Sequence, residues 1–121
     1  MSTALVVEDS LTDMVVLTSC LQRGGHNVLT AKSGEEALAK ISSYKPDVII
    51  LDVVLPGRSG FELCRDLKAE AETNNIPVVL CSTKITELDK FWGLKQGADA
   101  YLAKPVDQEQ LLRTVKQVIK G

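Results

Sequence analysis

The stretch Val48-Ile49-Ile50-Leu51-Asp52 decides the fold of this 121-residue chain. Four consecutive apolar residues are typical of a strand that is covered on both faces, as in the middle of a parallel sheet. A carboxylate follows directly, and the next eight residues, 53–60, contain one proline and two glycines and therefore predict a loop. Open α/β sheets bind their ligands at the carboxyl ends of their strands. The stretch thus predicts an acid with a functional role, Asp52, at that edge of a sheet.

Five strand-like runs alternate with five helical patterns on either side of this stretch. Such strict alternation predicts an α/β fold with one parallel sheet, right-handed crossovers and helices on both faces. The first, third and fourth runs are the most continuously apolar, which favours interior positions for them and is compatible with the doubly wound order 2-1-3-4-5. The predicted strands are 4–7, 27–31, 48–51, 78–81 and 101–103.

The helix starts are marked by a polar cap residue followed three positions later by an acid or a glutamine, as in a capping box. These pairs are Ser10 and Asp13, Ser33 and Glu36, Ser59 and Glu62, Thr86 and Asp89, and Asp107 and Gln110. Residues at helical spacing predict the buried faces, which comprise Leu11, Met14, Val15, Thr18 and Leu21 on the first helix and Ala37, Leu38 and Ile41 on the second. Trp92 on the fourth helix has two interpretations, helix packing, which is the commoner one, or a partner surface.

Composition limits the class of protein. At 121 residues and 45% hydrophobic content, the chain fits one domain, residues 1–121. A net charge of -2, with five aromatic residues and no basic run, gives no electrostatic basis for nucleic-acid binding. Three cysteines without C-x-x-C spacing argue against disulfides and zinc. No apolar stretch approaches the roughly 18 residues of a membrane span, so we expect a cytoplasmic protein.

Polar side chains follow several of the predicted strands. They are Glu8 and Asp9 after the first, Asp52 after the third, Ser82 after the fourth and Lys104 after the fifth. Because parallel strands end at the same edge of a sheet, we expect these groups to converge. Neighbouring carboxylates favour Mg²⁺, which prefers oxygen ligands. A carboxylate beside a metal, an ammonium and a hydroxyl makes a plausible phosphoryl acceptor, with Asp52 as the nucleophile.

Each of these residues also has a simpler interpretation. Asp9 is an ordinary helix cap, Ser82 an ordinary turn former and Lys104 an ordinary solvated lysine. The expected convergence of these side chains at one edge of the sheet favours a phosphoryl-acceptor site over the simpler interpretations.

Several motifs resemble the receiver domains of two-component response regulators, the CheY-like superfamily with a flavodoxin-like fold. They span the whole chain: Glu8-Asp9, Leu51-Asp52-x-x-Leu55-Pro56-x-x-x-Gly60, Ser82, and Gly97-Ala98-x-x-Tyr101-x-x-Lys104-Pro105. Trp92-Gly93 with Gln96-Gly97-Ala98 is also similar to the stand-alone receivers of twitching-motility systems and their phototaxis relatives.

The resemblance implies that a histidine kinase, of the CheA-like kind, phosphorylates Asp52. It also implies a Mg²⁺ ion held by Asp9, Asp52 and the backbone carbonyl of Val54, with Glu8 assisting through water. The protein would then promote its own phosphorylation and dephosphorylation without being an enzyme for other substrates.

The resemblance further implies a switch that couples Ser82 to Tyr101, with Lys104 and Ser82 contacting the phosphoryl group. A cis peptide between Lys104 and Pro105 would direct the ammonium toward the phosphate. Val54 and Thr83 flank the approach of a hydrolytic water, so we predict slow self-dephosphorylation.

Three functions compete. The first is a stand-alone, monomeric signalling module without an output domain, which binds an effector through its fourth helix, fifth strand and fifth helix. The second is a phosphate sink for a shared kinase. The third, of another class, is an aspartyl-phosphate phosphohydrolase. Enzymes of the haloacid dehalogenase family place a second Asp two residues after the nucleophile, where this chain has Val54, so the general acid for turnover is missing.

Overall fold

The computed structural model describes residues 2–120 as five β–α pairs in strict alternation. The predicted strands are confirmed to within one residue at each end. In chain order the elements are β1 (Thr3–Val7), α1 (Leu11–Arg23), β2 (Asn27–Ala31), α2 (Gly34–Tyr44), β3 (Val48–Leu51), α3 (Gly60–Ala69), β4 (Val78–Ser82), α4 (Glu87–Lys95), β5 (Ala100–Ala103) and α5 (Gln108–Lys120).

The five strands form one parallel sheet in the order β2-β1-β3-β4-β5, which confirms the predicted doubly wound fold. β3 is the central strand, with Ile50 between Val6 of β1 and Val79 of β4. Since all five strands point the same way, their carboxyl ends meet at one edge. Asp52, which follows β3, and Lys104, which follows β5, therefore lie at that edge.

Side chains of β3 alternate between two cores, one on each face of the sheet. Ile49 and Leu51 pack with residues of α2 and α3, whereas Val48 and Ile50 pack with residues of α1 and α5. All four side chains are buried, and full burial of such a residue contributes about 1.5–3 kcal/mol. Burial on both faces is the reason for the continuous apolar run.

The predicted buried faces of α1 and α2 are partly wrong. Leu11 and Val15 on α1, and Leu38 on α2, are exposed. Both helices carry apolar residues on more than one face, so spacing alone does not identify the face that meets the sheet. The buried side chains of α1 are those of Met14, Leu17, Cys20 and Leu21.

Helix packing, the commoner interpretation of Trp92, is also wrong. Trp92 is 50% exposed, and Leu88 and Phe91 on the same helix are exposed as well. α4 buries only Gly93 among its residues. Within the described part of the chain, none of the helices has the length and apolarity that a membrane span needs.

Candidate functional site

Asp52 lies directly after β3 at the carboxyl edge of the sheet, and it is only 8% exposed. Its backbone N–H donates to the carbonyl of Val7 (3.1 Å), which continues the β1–β3 pairing past the strand end. One side-chain oxygen, Oδ1, accepts from the backbone N–H of Val54 (3.2 Å). The other, Oδ2, accepts from the ammonium of Lys104 (3.1 Å). Two donors from separate loops therefore hold the carboxylate in place.

The ammonium of Lys104 contacts three carboxylates and is almost completely buried. Burial by itself lowers the pKa of Lys104, but the hydrogen bonds to the three carboxylates outweigh that effect and raise it. Lys104 is therefore a fixed positive charge at neutral pH. Its partners are Glu8, Asp13 (3.0 Å) and Asp52 (3.1 Å).

Glu8 and Asp9, in the turn between β1 and α1, differ in exposure. Glu8 is 1% exposed, and its second oxygen accepts from the backbone N–H of Ser10 (3.0 Å). Burial raises the pKa of Glu8, and the hydrogen bonds from Lys104 and Ser10 only partly oppose the rise. Asp9 is exposed. One acid is thus held inside the site while the other faces the solvent.

The donor chemistry of these acids fits Mg²⁺. One carboxylate oxygen from each of Glu8, Asp9 and Asp52 lies within 4.8 Å of the other two. Asp9 adds a fourth acid to the three carboxylates that contact Lys104, so carboxylates outnumber the ammonium at this site. Mg²⁺ takes one or two carboxylates together with waters and substrate phosphate oxygens, which suits a partly exposed acidic cluster.

Ser82 and Tyr101 meet at the backbone of Lys84, in the loop after β4. The buried Ser82 Oγ accepts from the N–H of Lys84 (3.1 Å), and the Tyr101 hydroxyl donates to the carbonyl of Lys84. Burial raises the pKa of Tyr101, so its hydroxyl keeps the proton that it donates. The ring lies against Gly93 of α4, where an added Cβ would come within 2.8 Å of Tyr101 Cδ2.

The remaining predicted site residues lie in the loops that carry these groups. The Lys104–Pro105 peptide is cis, and the backbone N–H of Lys104 donates to the carbonyl of Ser82 (3.0 Å). Val54 is 53% exposed beside Asp52. The predicted residues therefore gather at the carboxyl edge of the sheet, which Tyr101 reaches from within β5 through its hydroxyl. Their roles toward metal and phosphate remain predictions.

Two residues at this edge were missed by the sequence reasoning. Asp13 was predicted to complete a capping box with Ser10, but only half of the box forms: Ser10 Oγ accepts from the Asp13 N–H (3.3 Å). The carboxylate of Asp13 contacts Lys104, since Glu8 already occupies the Ser10 N–H. Lys84 contributes only backbone atoms, which no side-chain motif reveals.

Fold and site together define an α/β domain with a buried carboxylate, an acidic cluster and a buried lysine at the carboxyl edge of its sheet. The family model for the response regulator receiver domain matches residues 4–116. The chain belongs to this family, whose members act as phosphoacceptor signalling proteins and bind Mg²⁺ at an acidic pocket.

Individual relatives agree with this assignment. Protein PilH of Pseudomonas aeruginosa PAO1 is 47% identical over 121 residues, which cover all of both chains. A putative response regulator from Chloroflexus aurantiacus superposes with a TM-score of 0.95 at 35% identity, covering 99% of this chain and 98% of that one.

A second solved structure carries the metal. It is the receiver domain of the sensor histidine kinase PA1611 from Pseudomonas aeruginosa PAO1, with a magnesium ion coordinated in its active site cleft. It superposes with a TM-score of 0.90 at 25% identity, covering 99% of this chain and 98% of that one.

Proposed function

We propose that the protein accepts a phosphoryl group on Asp52 from a histidine kinase and signals through a phosphorylation-dependent protein contact. The observation that carries the proposal is the buried ion pair between Lys104 and Asp52, beside two further acids of the turn after β1. A buried acid that is held by a lysine and can share a metal is suited to nucleophilic attack on phosphorus.

In the proposed step, a side-chain oxygen of Asp52 forms a bond to the phosphorus of phosphohistidine. The P–N bond breaks, and the imidazole nitrogen leaves with its electron pair. Lys104 faces the charge that spreads over the transferring oxygens, and the Ser82 hydroxyl turns from Lys84 to donate to one of them. Asp9, Asp52 and the Val54 carbonyl, with Glu8 through water, would hold a Mg²⁺ ion, which would neutralise charge on the phosphoryl group.

The exposed apolar side chains of α4 support an effector contact rather than a phosphate sink. Leu88, Phe91 and Trp92 project from the helix that packs on Tyr101 through Gly93. Contiguous exposed apolar side chains are typical of protein–protein interaction sites. We propose the face of α4, β5 and α5 as the effector site. The similarity to PilH and to twitching-motility receivers supports a role in motility with a CheA-like kinase.

Phosphorylation itself is tested with acetyl phosphate and Mg²⁺, followed by intact-mass measurement. We expect one phosphoryl-sized increase in the wild-type protein, and none in Asp52→Asn or in the absence of Mg²⁺. Asp66→Asn is the matched control, because Asp66 pairs with Arg58 and is neither a partner of Lys104 nor a member of the acidic cluster. An unchanged wild-type mass, or a modified Asp52→Asn variant, would refute the proposal.

Signalling and sink functions are separated by the fluorescence of Trp92, the single tryptophan of the chain. A signalling module changes the surroundings of α4 when beryllofluoride, a phosphoryl mimic, is added with Mg²⁺. We expect the iodide quenching of Trp92 to change in the wild-type protein and to stay constant in Asp52→Asn. Equal quenching with and without the mimic would favour the sink.

A further inference from the structure

Asp13 lies outside the motifs that identify the family, yet its carboxylate is one of the three that contact the ammonium of Lys104. It reaches the site from α1, with its Oδ2 at 3.0 Å from the lysine Nζ. This separation matches the 3.1 Å between Nζ and the Asp52 carboxylate. An ammonium has three N–H donors. Glu8, Asp13 and Asp52 therefore use all of the hydrogen-bonding capacity of Lys104.

Phosphorylation of Asp52 has to disturb this arrangement. The ammonium is already at hydrogen-bond distance from Oδ2 of Asp52, and Oδ1 accepts from the Val54 N–H, so a phosphoryl group bonded to Oδ2 has no space between that oxygen and the lysine. Lys104 must therefore move when the group arrives and direct a donor at one of its oxygens. At least one of the three present contacts has to be remade.

Solvent exposure determines whether the contact of Lys104 with Glu8 or that with Asp13 costs less to break. Glu8 is 1% exposed, and leaving its charge without a partner would carry a large desolvation penalty. The Asp13 side chain is 43% exposed, so water solvates its carboxylate as soon as the lysine departs. Release of Asp13 is thus the least unfavourable rearrangement.

We propose that Asp13 is a positioning residue that competes with the phosphoryl group for Lys104. It holds the ammonium while Asp52 is unphosphorylated and releases it when Asp52 carries phosphate. This role rests on the proposed phosphorylation of Asp52. Because it stabilises the unphosphorylated arrangement, Asp13 weakens the binding of a phosphoryl group or its mimic.

The test measures the apparent Kd of beryllofluoride, with Mg²⁺ present, by NMR titration. We expect Asp13→Asn to bind beryllofluoride about three- to tenfold more tightly than the wild-type protein does. This is the size of effect expected from the loss of one partly exposed ion pair. Asp13→Glu restores the carboxylate and should stay near the wild-type Kd. Glu35→Gln is the matched control, since it removes one exposed negative charge from the first turn of α2.

A double-mutant cycle shows whether Asp13 acts through Lys104. In a Lys104→Met background, Asp13→Asn should leave the Kd of beryllofluoride unchanged. If Asp13→Asn tightens beryllofluoride binding equally in both backgrounds, Asp13 acts by long-range repulsion of the anion and not through Lys104. That result would overturn the proposal. Independently, the side-chain carboxyl ¹³C resonance of Asp13 should shift when beryllofluoride is added to the wild-type protein. A resonance that stays in place would also overturn the proposal.

The outcomes distinguish this inference from the proposed function. If the wild-type protein binds no beryllofluoride at Asp52, with Asp52→Asn as the reference, both proposals fail. If it binds beryllofluoride and Asp13→Asn binds it equally well, only the role of Asp13 fails.

Discussion

An ideally placed Cβ on Gly60 would lie 2.0 Å from the carbonyl oxygen of Asp52. The first turn of α3 therefore packs directly on the peptide group of the proposed phosphoacceptor. The Gly60 N–H also donates to the carbonyl of Val53 (2.8 Å), which closes the loop between them. Both sides of this contact are backbone, so no change of rotamer can make room for a side chain.

Gly60→Ala should consequently lower the free energy of unfolding by about 2–4 kcal/mol, the range for a forced backbone shift. Gly34→Ala is the matched control, because Gly34 also begins a helix after a serine cap. Its added Cβ would lie 3.6 Å from the nearest atom, Nε of Arg58. We expect that control to change stability by less than about 0.5 kcal/mol in urea unfolding. Equal losses for the two variants would contradict the close approach.

Mg²⁺ should stabilise the folded protein, because it offsets the repulsion among Glu8, Asp9 and Asp52. At a concentration 100 times its Kd, a ligand that binds only the folded state adds about 2.7 kcal/mol. Asp9→Asn should raise stability without metal and reduce the gain from Mg²⁺. Thermal unfolding with Mg²⁺ or EDTA measures both effects, with Glu35→Gln as the control. A full Mg²⁺ response in Asp9→Asn would exclude Asp9 as a ligand.

Burial of the three cysteine thiols, strongest at Cys64 and Cys81, should make stability depend on pH above neutrality. Burial raises the pKa of Cys64 from its usual 9.0 to about 11 and that of Cys81 to about 12. Above pH 9 the unfolded thiols lose their protons while the folded ones retain them. Each buried thiol therefore stabilises the fold fully below pH 9, and its contribution declines by up to about 1.4 kcal/mol per pH unit above it.

The measurement is urea unfolding of the wild-type protein and Cys64→Ala between pH 8 and about 10.5, within the window set by these pKa values. Cys64→Ala should show the shallower decline with pH, because one of the buried thiols with a raised pKa no longer titrates. In the folded wild-type protein we also expect Cys64 and Cys81 to react slowly with iodoacetamide at pH 8. Parallel pH profiles for the two proteins would contradict the pKa assignment for Cys64.

We expect the acyl phosphate on Asp52 to persist, because Val54 and Thr83, the residues predicted to flank the approach of water, offer no acid or amide that could orient it. We expect the phosphorylated protein to survive for minutes or longer in Mg²⁺ buffer after the phosphodonor is removed. Val54→Asn should shorten this lifetime several-fold, while the conservative Val54→Ile should not. A half-life of seconds for the wild-type protein would show that these side chains do not limit hydrolysis.

The strands could be predicted from the sequence because burial on both faces of the sheet requires consecutive apolar residues, as in β3. The convergence of acids and lysine followed from the parallel sheet. The partner of Asp13 could not be predicted, because it depends on which group occupies the Ser10 N–H. The exposure of Leu11 on α1 and of Trp92 on α4 could not be predicted either, because both residues have the helical spacing of core residues.

The most direct test of the central claim is to locate the phosphoryl group within the chain. The protein is incubated with acetyl phosphate and Mg²⁺, the acyl phosphate is reduced with borohydride, and peptides are sequenced by mass spectrometry. Reduction converts a phosphorylated aspartate to homoserine, so we predict homoserine at position 52 and nowhere else. Homoserine at position 9 or 13 instead, or none at all, would contradict phosphorylation of Asp52.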